Sequence, residues 1–249
     1  MADVLYGRNA VREALRAQRR TSQRLLVSSG AQEAGTLGEV VKLAEKTNVP
    51  IERVDRHELD RKLREANHQG VALECDDYPY AELADCLALA EQRGEPALLL
   101  LLDHLQDPQN VGTLLRTAET VGVHGVVLPG RRAAEITPAV VNASAGATEH
   151  LRVVVVTNLA QAIGELQKAG VWVVGIEDDE RATEFDRADL DMPLGLVVGA
   201  EGPGLARLTR ERCDFLVKLP MRGQIASLNA AVAGSIVLYH AWRARQRRN

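Results

Sequence analysis

Three short segments carry polar side chains of the kind that bind and activate a substrate, and each follows an apolar run. Near the C-terminus, LPMRGQIASLNAAVAG (Leu219 to Gly234) stops at Pro220, crosses a glycine-containing loop, and re-enters regular structure at Ser227, Leu228 and Asn229. A hydroxyl and an amide placed between a strand and a helix are presented to a ligand together with the loop's backbone groups. Upstream, VVGAEGPGL holds Glu201 among Gly199, Gly202 and Gly204. Glycines allow positive φ and close backbone approach, and a carboxylate held between them has little burial to contribute. The order of these glycines matches neither the dinucleotide-binding GxGxxG nor a phosphate-binding P-loop. The earliest segment, DHLQDPQNVGTLLRTAE, sets Asn110 after Asp107 and Pro108, where it reads as the N-cap of a helix burying Leu114, Leu115, Ala118 and Val121. Arg116, a turn and a half later, is either a surface arginine or a two-pronged grip on an RNA phosphate that lysine cannot match. Together the three loops predict one composite site.

The elements that must position these residues follow from hydrophobic periodicity. From Pro96 onward, apolar runs at Ala97 to Leu102, Gly125 to Leu128, Val153 to Val156, Val171 to Ile176, Leu194 to Val198 and Phe215 to Leu219 alternate with helical segments. Continuous apolar runs of this kind predict strands of a parallel sheet covered on both faces. Ligands of such sheets bind beyond the carboxyl ends of the strands, and all three loops fall there. The last helix, from about Leu228 to Arg245, puts Leu228, Val232, Ser235, Tyr239 and Trp242 on one stripe, which packs either in its own subunit's core or against a second subunit. Residues 1 to 76 form a smaller α/β unit: helices at Arg8 to Ala17, Leu37 to Lys46 and Glu58 to Glu65, extended runs at Arg24 to Val27, Pro50 to Val54 and Gly70 to Cys75. A charged, proline-containing linker over 77–95 separates it from the domain of residues 96–249.

Bulk properties narrow the function classes. With 46% hydrophobic and 26% charged residues, the chain of 249 suits a globular protein of one large domain or two modest ones. The longest apolar run is far short of the roughly 18 residues of a membrane span, and the charged start is no signal peptide, so a cytoplasmic location is expected. Cys75, Cys86 and Cys213 lack paired spacing, which argues against disulfides and a metal site. The net charge of -4 argues against a wholly basic nucleic-acid coat. Positive charge nevertheless gathers at Arg8, Arg12, Arg16 and Arg20, spaced four apart, and at Arg243, Arg245, Arg247 and Arg248. On a helix the first set shares one face, which is either solvated or a phosphate-binding footprint.

NVGTLLRTAE, VVGAEGPGL and LPMRGQIASLNAAVA resemble, in order and spacing, the three signature motifs of the SpoU (TrmH-like) branch of the SPOUT RNA 2′-O-ribose methyltransferases. YGRNAVREAL and HQGVAL (His68 to Leu73) are similar to the L30e-like RNA-binding module of bacterial enzymes that methylate a guanosine ribose in 23S rRNA, so the likeness covers essentially the whole chain. The resemblance implies an α/β fold whose C-terminal, parallel-sheet SPOUT domain is a trefoil knot, preceded by a smaller L30e-like domain. It implies S-adenosylmethionine as cofactor, held by backbone around Gly199, Ala200, Leu219, Met221 and Leu228, and no metal. Asn110, Arg116, Glu201, Ser227 and Asn229 become the expected catalytic residues, and Arg8, Arg12 and Arg16 the expected RNA contacts. It implies a homodimer, which favours the interface reading of the last helix. A guanidinium stays protonated in proteins, so Arg116 is expected to clamp phosphate and activate electrostatically, with the proton leaving through phosphate or water. Ser227 and Asn229 would orient the ribose, Asn110 would hold Arg116 or the ribose, and Glu201 would organise its loop or contact the substrate.

Overall fold

The computed structural model describes residues 3–64, 66–130, 135–225 and 227–246. Glu65, at the expected end of the third helix, and Arg247 and Arg248 of the basic tail lie outside the described residues. In chain order the elements are β1 (Asp3–Tyr6), α1 (Arg8–Ala17), β2 (Ser22–Ser28), α2 (Thr36–Lys46), β3 (Ile51–Val54), α3 (Arg56–Lys62), β4 (Val71–Cys75), α4 (Leu83–Arg93), β5 (Leu98–Asp103), α5 (Pro108–Thr120), β6 (Gly125–Pro129) and α6 (Pro138–Ala143). There follow β7 (Val153–Val156), α7 (Leu159–Lys168), β8 (Trp172–Ile176), β9 (Thr183–Glu184), β10 (Leu194–Gly199), α8 (Arg207–Arg212), β11 (Phe215–Lys218) and α9 (Ala230–Arg245). They form two compact units: Met1–Pro79 with Ile136–His150, and Tyr80–Glu135 with Leu151–Asn249.

The first unit is a four-stranded sheet in the order β1-β4-β2-β3, antiparallel except between β2 and β3. Leu5, Leu15, Leu25, Leu37, Leu59 and Leu73 are fully buried in it. Its arginines depart from the expected row. Helix α1 ends at Ala17, where Gln18 turns left-handed and donates its N–H to Ala14, so Arg20 never continues the helical face. Instead Arg20 is buried, with Nη2 donating to Glu149 Oε1 and Nη1 to Asp3 Oδ2, both at 2.8 Å. Arg12 and Arg16 each pair with Glu13 and Glu39, and Arg8 donates from Nε to the Gln69 carbonyl at 3.1 Å.

The Arg20 pair explains why Ile136–His150, which the linear division assigns to the larger domain, belongs to the first unit. Glu149 is itself 1% exposed, and a buried carboxylate without its cation is strongly destabilising. Asn142 Nδ2 donates to the Tyr6 carbonyl at 3.0 Å, and Tyr78 donates to the Thr148 carbonyl at 2.9 Å. Burial pushes the Tyr78 hydroxyl up to about 12, so it stays a donor. The expected linker over 77–95 is likewise structured: Tyr78 packs in the first unit, and α4 lies against β6 in the second. There Gly125 leaves room for Cys86, whose Sγ would stand 2.2 Å from an added Cβ.

The second unit is a seven-stranded sheet in the order β7-β6-β5-β10-β8-β11-β9, parallel throughout. All six expected runs are strands. Every residue of β5 is buried, as burial on both faces requires. Because the strands are parallel and Gly199 pairs with Asp103, the loops after β5, β10 and β11 all leave the carboxyl ends of the strands. After β11 the chain turns back, and α9 packs on α5 and β10. Gly234 permits the approach, since a Cβ there would meet Leu114 Cδ2 at 2.7 Å and Val198 Cγ2 at 2.8 Å. At its far end Arg245 donates to the carbonyls of Pro96, Ala97 and Met192.

Of the two alternatives for the α9 stripe, packing in its own subunit's core is not what is seen. Ala231, Gly234, Val237, Leu238 and Ala241 face the unit's interior. Leu228, Val232 and Tyr239 are each 40% or more exposed, so packing in the unit's own core is ruled out for them. Ala231, Gly234 and Ala241 carry the close contact together with Val237 and Leu238, while Val232 and Tyr239 are left outside.

Candidate active site

The loop after β10 is pinned by its own backbone. Ala200 and Gly204 exchange two hydrogen bonds at 3.2 and 3.0 Å, and Gly202 and Gly204 take φ of 82° and 68°. This tight turn leaves no room at Gly199, where a Cβ would lie 2.4 Å from the Gly204 carbonyl carbon. The turn lifts Glu201 into solvent-accessible space. Beneath it, Glu177 follows β8 and accepts from Arg210 Nη2 at 3.0 Å, while burial pushes its carboxyl above the usual range.

Asn110 is not the cap of its helix. Asp107 takes that place, accepting the Asn110 N–H at 3.0 Å with Pro108 in the first turn. Aspartate outcompetes the residue three positions later because a cap must precede the first helical turn. Asn110 is thereby freed, and its Nδ2 donates to Glu201 Oε1 at 3.0 Å. Asn229 is the cap of α9: its Oδ1 accepts from Ala231 N at 2.9 Å and Val232 N at 3.1 Å. That fixes the amide the other way round, so Nδ2 donates to Asn110 Oδ1 at 2.8 Å and Glu201 Oε1 at 2.5 Å. One residue from each loop therefore closes a hydrogen-bonded ring, with Glu201 Oε1 receiving two N–H groups. Replacing Asp107 by alanine is expected to lower stability by about 1 kcal/mol and to loosen the ring through Asn110. A thermal melt checks the first effect. An unchanged melting temperature would show that the cap contributes nothing.

A cavity of about 560 Å³ opens beside this ring, lined by Gly199, Ala200, Leu219, Met221, Leu228, Glu201, Ser227 and Asn229. Its wall also includes Glu177 and Asp178, which the sequence reading passed over. Their signal was available: two acidic residues directly after an apolar strand. Ser227 is exposed, and its hydroxyl has no hydrogen-bond partner among the described residues. Arg116 is exposed on α5, lines neither this cavity nor its neighbour, and makes no ion pair among the described residues. The three residues of the ring and Ser227 thus bring four of the five expected polar residues to one cavity or its rim, and Arg116 is left without an ion pair among the described residues on the helix that begins there. Arg8, Arg12 and Arg16 belong to the other unit.

Comparison with known proteins follows the same division. Residues 97–239 match the model of the SpoU rRNA Methylase family, and residues 4–81 match the model described as RNA 2′-O ribose methyltransferase substrate binding. YacO of Bacillus subtilis (strain 168), assigned to the TrmH family of tRNA/rRNA methyltransferases, is 43% identical over 243 residues, covering 98% of this chain and 96% of its own. The solved structure of the SpoU methyltransferase AviRb from Streptomyces viridochromogenes, in complex with AdoMet, superposes with a TM-score of 0.78 at 25% identity, over 98% of this chain and 90% of that one. A structure described through 2-OH methylation of C/U34 on tRNA is 26% identical with a TM-score of 0.54; it covers 62% of this chain and 99% of its own.

Proposed function

The chain belongs to the SpoU family of RNA methyltransferases, and from that premise we propose that it methylates the ribose 2′-hydroxyl of a guanosine in 23S rRNA, working as a homodimer. S-adenosylmethionine is its cofactor. The observation that carries this reading is the Asn110–Glu201–Asn229 ring at the rim of a cavity lined by Gly199, Ala200 and Leu219. Bound there, the cofactor supplies a methyl group already activated by a sulfonium. A ribose hydroxyl is a weak nucleophile at neutral pH, so the protein's part is to place it and ease loss of its proton.

The fit to the cofactor rests on the wall. Gly199, Ala200, Leu219, Met221 and Leu228 offer backbone groups and modest apolar contact, and an added Cβ at Gly202 would meet nothing within 4 Å. Asn229 spends its amide protons on Glu201 and Asn110. The ring is therefore a brace, and orientation of the acceptor hydroxyl falls to Ser227 and the second oxygen of Glu201. Arg116 clamps the adjoining phosphate and stabilises the charge that develops on the ribose oxygen, while the proton leaves through phosphate or water.

Large-subunit rRNA is favoured over tRNA because the tRNA-linked structure is spanned almost completely by only part of this chain. The remainder has room for a separate substrate-binding unit, which the family match at residues 4–81 describes. Self-association is supported by the exposed apolar side chains of Val232, Ile236 and Tyr239 on α9 and of Leu228 just before it. The test is incubation with labelled S-adenosylmethionine and undermethylated 23S rRNA or tRNA, followed by mapping of the labelled nucleotide. Label at a guanosine ribose in rRNA is expected. Label confined to tRNA would overturn the rRNA assignment.

A further inference from the structure

A second cavity of about 490 Å³ adjoins the first, and Ala200, Glu201, Pro203 and Gly204 line both. Asn110 and the loop that begins at His104 form its other wall. Three observations concern His104. Its backbone lies in the left-handed region at φ 61°, which a residue with a Cβ adopts at a cost. Its Nδ1 lies 2.5 Å from Oδ1 of Asp103, a wholly buried carboxylate whose other oxygen accepts the Ala206 N–H at 2.7 Å. In the neutral ring this pairing puts the proton on Nδ1, because a carboxylate can only accept. Nε2 is then a bare acceptor, without a partner among the described residues, on a side chain 41% exposed at the cavity wall.

We propose that this second cavity receives the target guanosine, and that His104 Nε2 accepts a hydrogen bond from the N–H edge of its base. The assignment rests on the proposed ribose methylation and deepens it. Methyl transfer needs donor and acceptor held within reach of each other, and two cavities sharing the Glu201 wall provide that arrangement. A buried carboxylate fixes the tautomer and direction of a histidine ring, which turns a mobile side chain into a directional acceptor. Guanine meets it with its ring N1–H, whereas adenine presents a bare acceptor nitrogen at that position and would leave Nε2 unpaired. His104 is in this account a specificity-determining residue.

The test compares His104→Gly and His104→Asn with the unchanged chain, measuring kcat and KM for rRNA and calorimetric affinity for S-adenosylmethionine. Glycine removes the ring and relieves the positive φ, and a thermal melt of each variant separates any loss of fold caused by depriving Asp103 of its partner from a loss of RNA recognition. His104→Gly is expected to lower kcat/KM for RNA by roughly tenfold or more, through KM, with cofactor affinity unchanged. Asparagine tolerates the same φ and keeps an acceptor oxygen, so it should recover part of the loss. Full activity of His104→Gly, or a loss confined to cofactor affinity, would overturn the assignment. An unchanged chain that methylates no RNA would instead overturn the proposed function, and this assignment with it.

Discussion

Arg116→Ala is expected to reduce kcat/KM for methyl transfer by about 10³-fold, the scale on which single electrostatic stabilisers of a transition state act, while leaving S-adenosylmethionine affinity unchanged. The separation follows from position. Arg116 lies on α5 beyond the ring, lines neither cavity, and has no carboxylate paired to it among the described residues. Nearly every arginine of the first sheet unit that sequence spacing singled out is neutralised: Arg12 and Arg16 by Glu13 and Glu39, and Arg20 by Glu149 and Asp3. A cation without an ion pair among the described residues, on the helix that also carries Asn110, is available for phosphate. Arg116→Lys should fall between the two, since it keeps the charge and loses the planar fork. Calorimetry and steady-state kinetics on the same preparations decide the matter. Parallel loss of cofactor affinity would mean that Arg116 belongs to the donor cavity.

The second large effect is expected at Gly199. A Cβ there would stand 2.4 Å from the Gly204 carbonyl carbon, 2.6 Å from its oxygen and 2.6 Å from Leu205 N. All three are backbone atoms, so relief requires opening the Ala200–Gly204 hydrogen-bond pair that shapes the turn. Gly199→Ala should therefore weaken S-adenosylmethionine binding by about 100-fold, which corresponds to roughly 2.7 kcal/mol, and displace Glu201 from Asn110 and Asn229. Gly202→Ala is the comparison. Its φ of 82° is unfavourable for alanine, yet the added methyl meets nothing within 4 Å. It should cost stability with a far smaller loss of affinity. Equal losses in the two variants would mean that backbone strain alone, and not the clash at Gly199, sets the effect.

How legible these features were depends on whether local pattern or tertiary partnership decides them. The strands of the larger sheet were plain in the sequence because burial on both faces forces continuous apolar runs, as in Leu98–Asp103. The two-residue strand Thr183–Glu184 has no such run and owes its place to pairing with β11. On α9 the pattern marks Val232 and Tyr239, which stay exposed so that only the core alternative fails for them, whereas close packing on α5 and β10 selects Ala231 and Gly234, which hydrophobicity does not mark. The polar site residues were readable as types in loops, and Ser227, Glu201 and Asn229 do meet at one cavity. Their mutual roles were not readable. Whether Asn110 caps its helix or braces Glu201 depends on Asp107 winning the cap, and the fate of Arg20 depends on a glutamate 129 positions away. Nothing in local spacing discloses a partner at that distance.

The central claim is that the ring of Asn110, Glu201 and Asn229 serves transfer to a ribose hydroxyl and to no other atom. Digesting the methylated RNA to nucleosides and identifying the product by mass spectrometry tests it most directly. The account predicts a guanosine carrying its new methyl on the 2′ oxygen, formed by the unchanged chain and lost in Arg116→Ala. A methyl found on the base would contradict it.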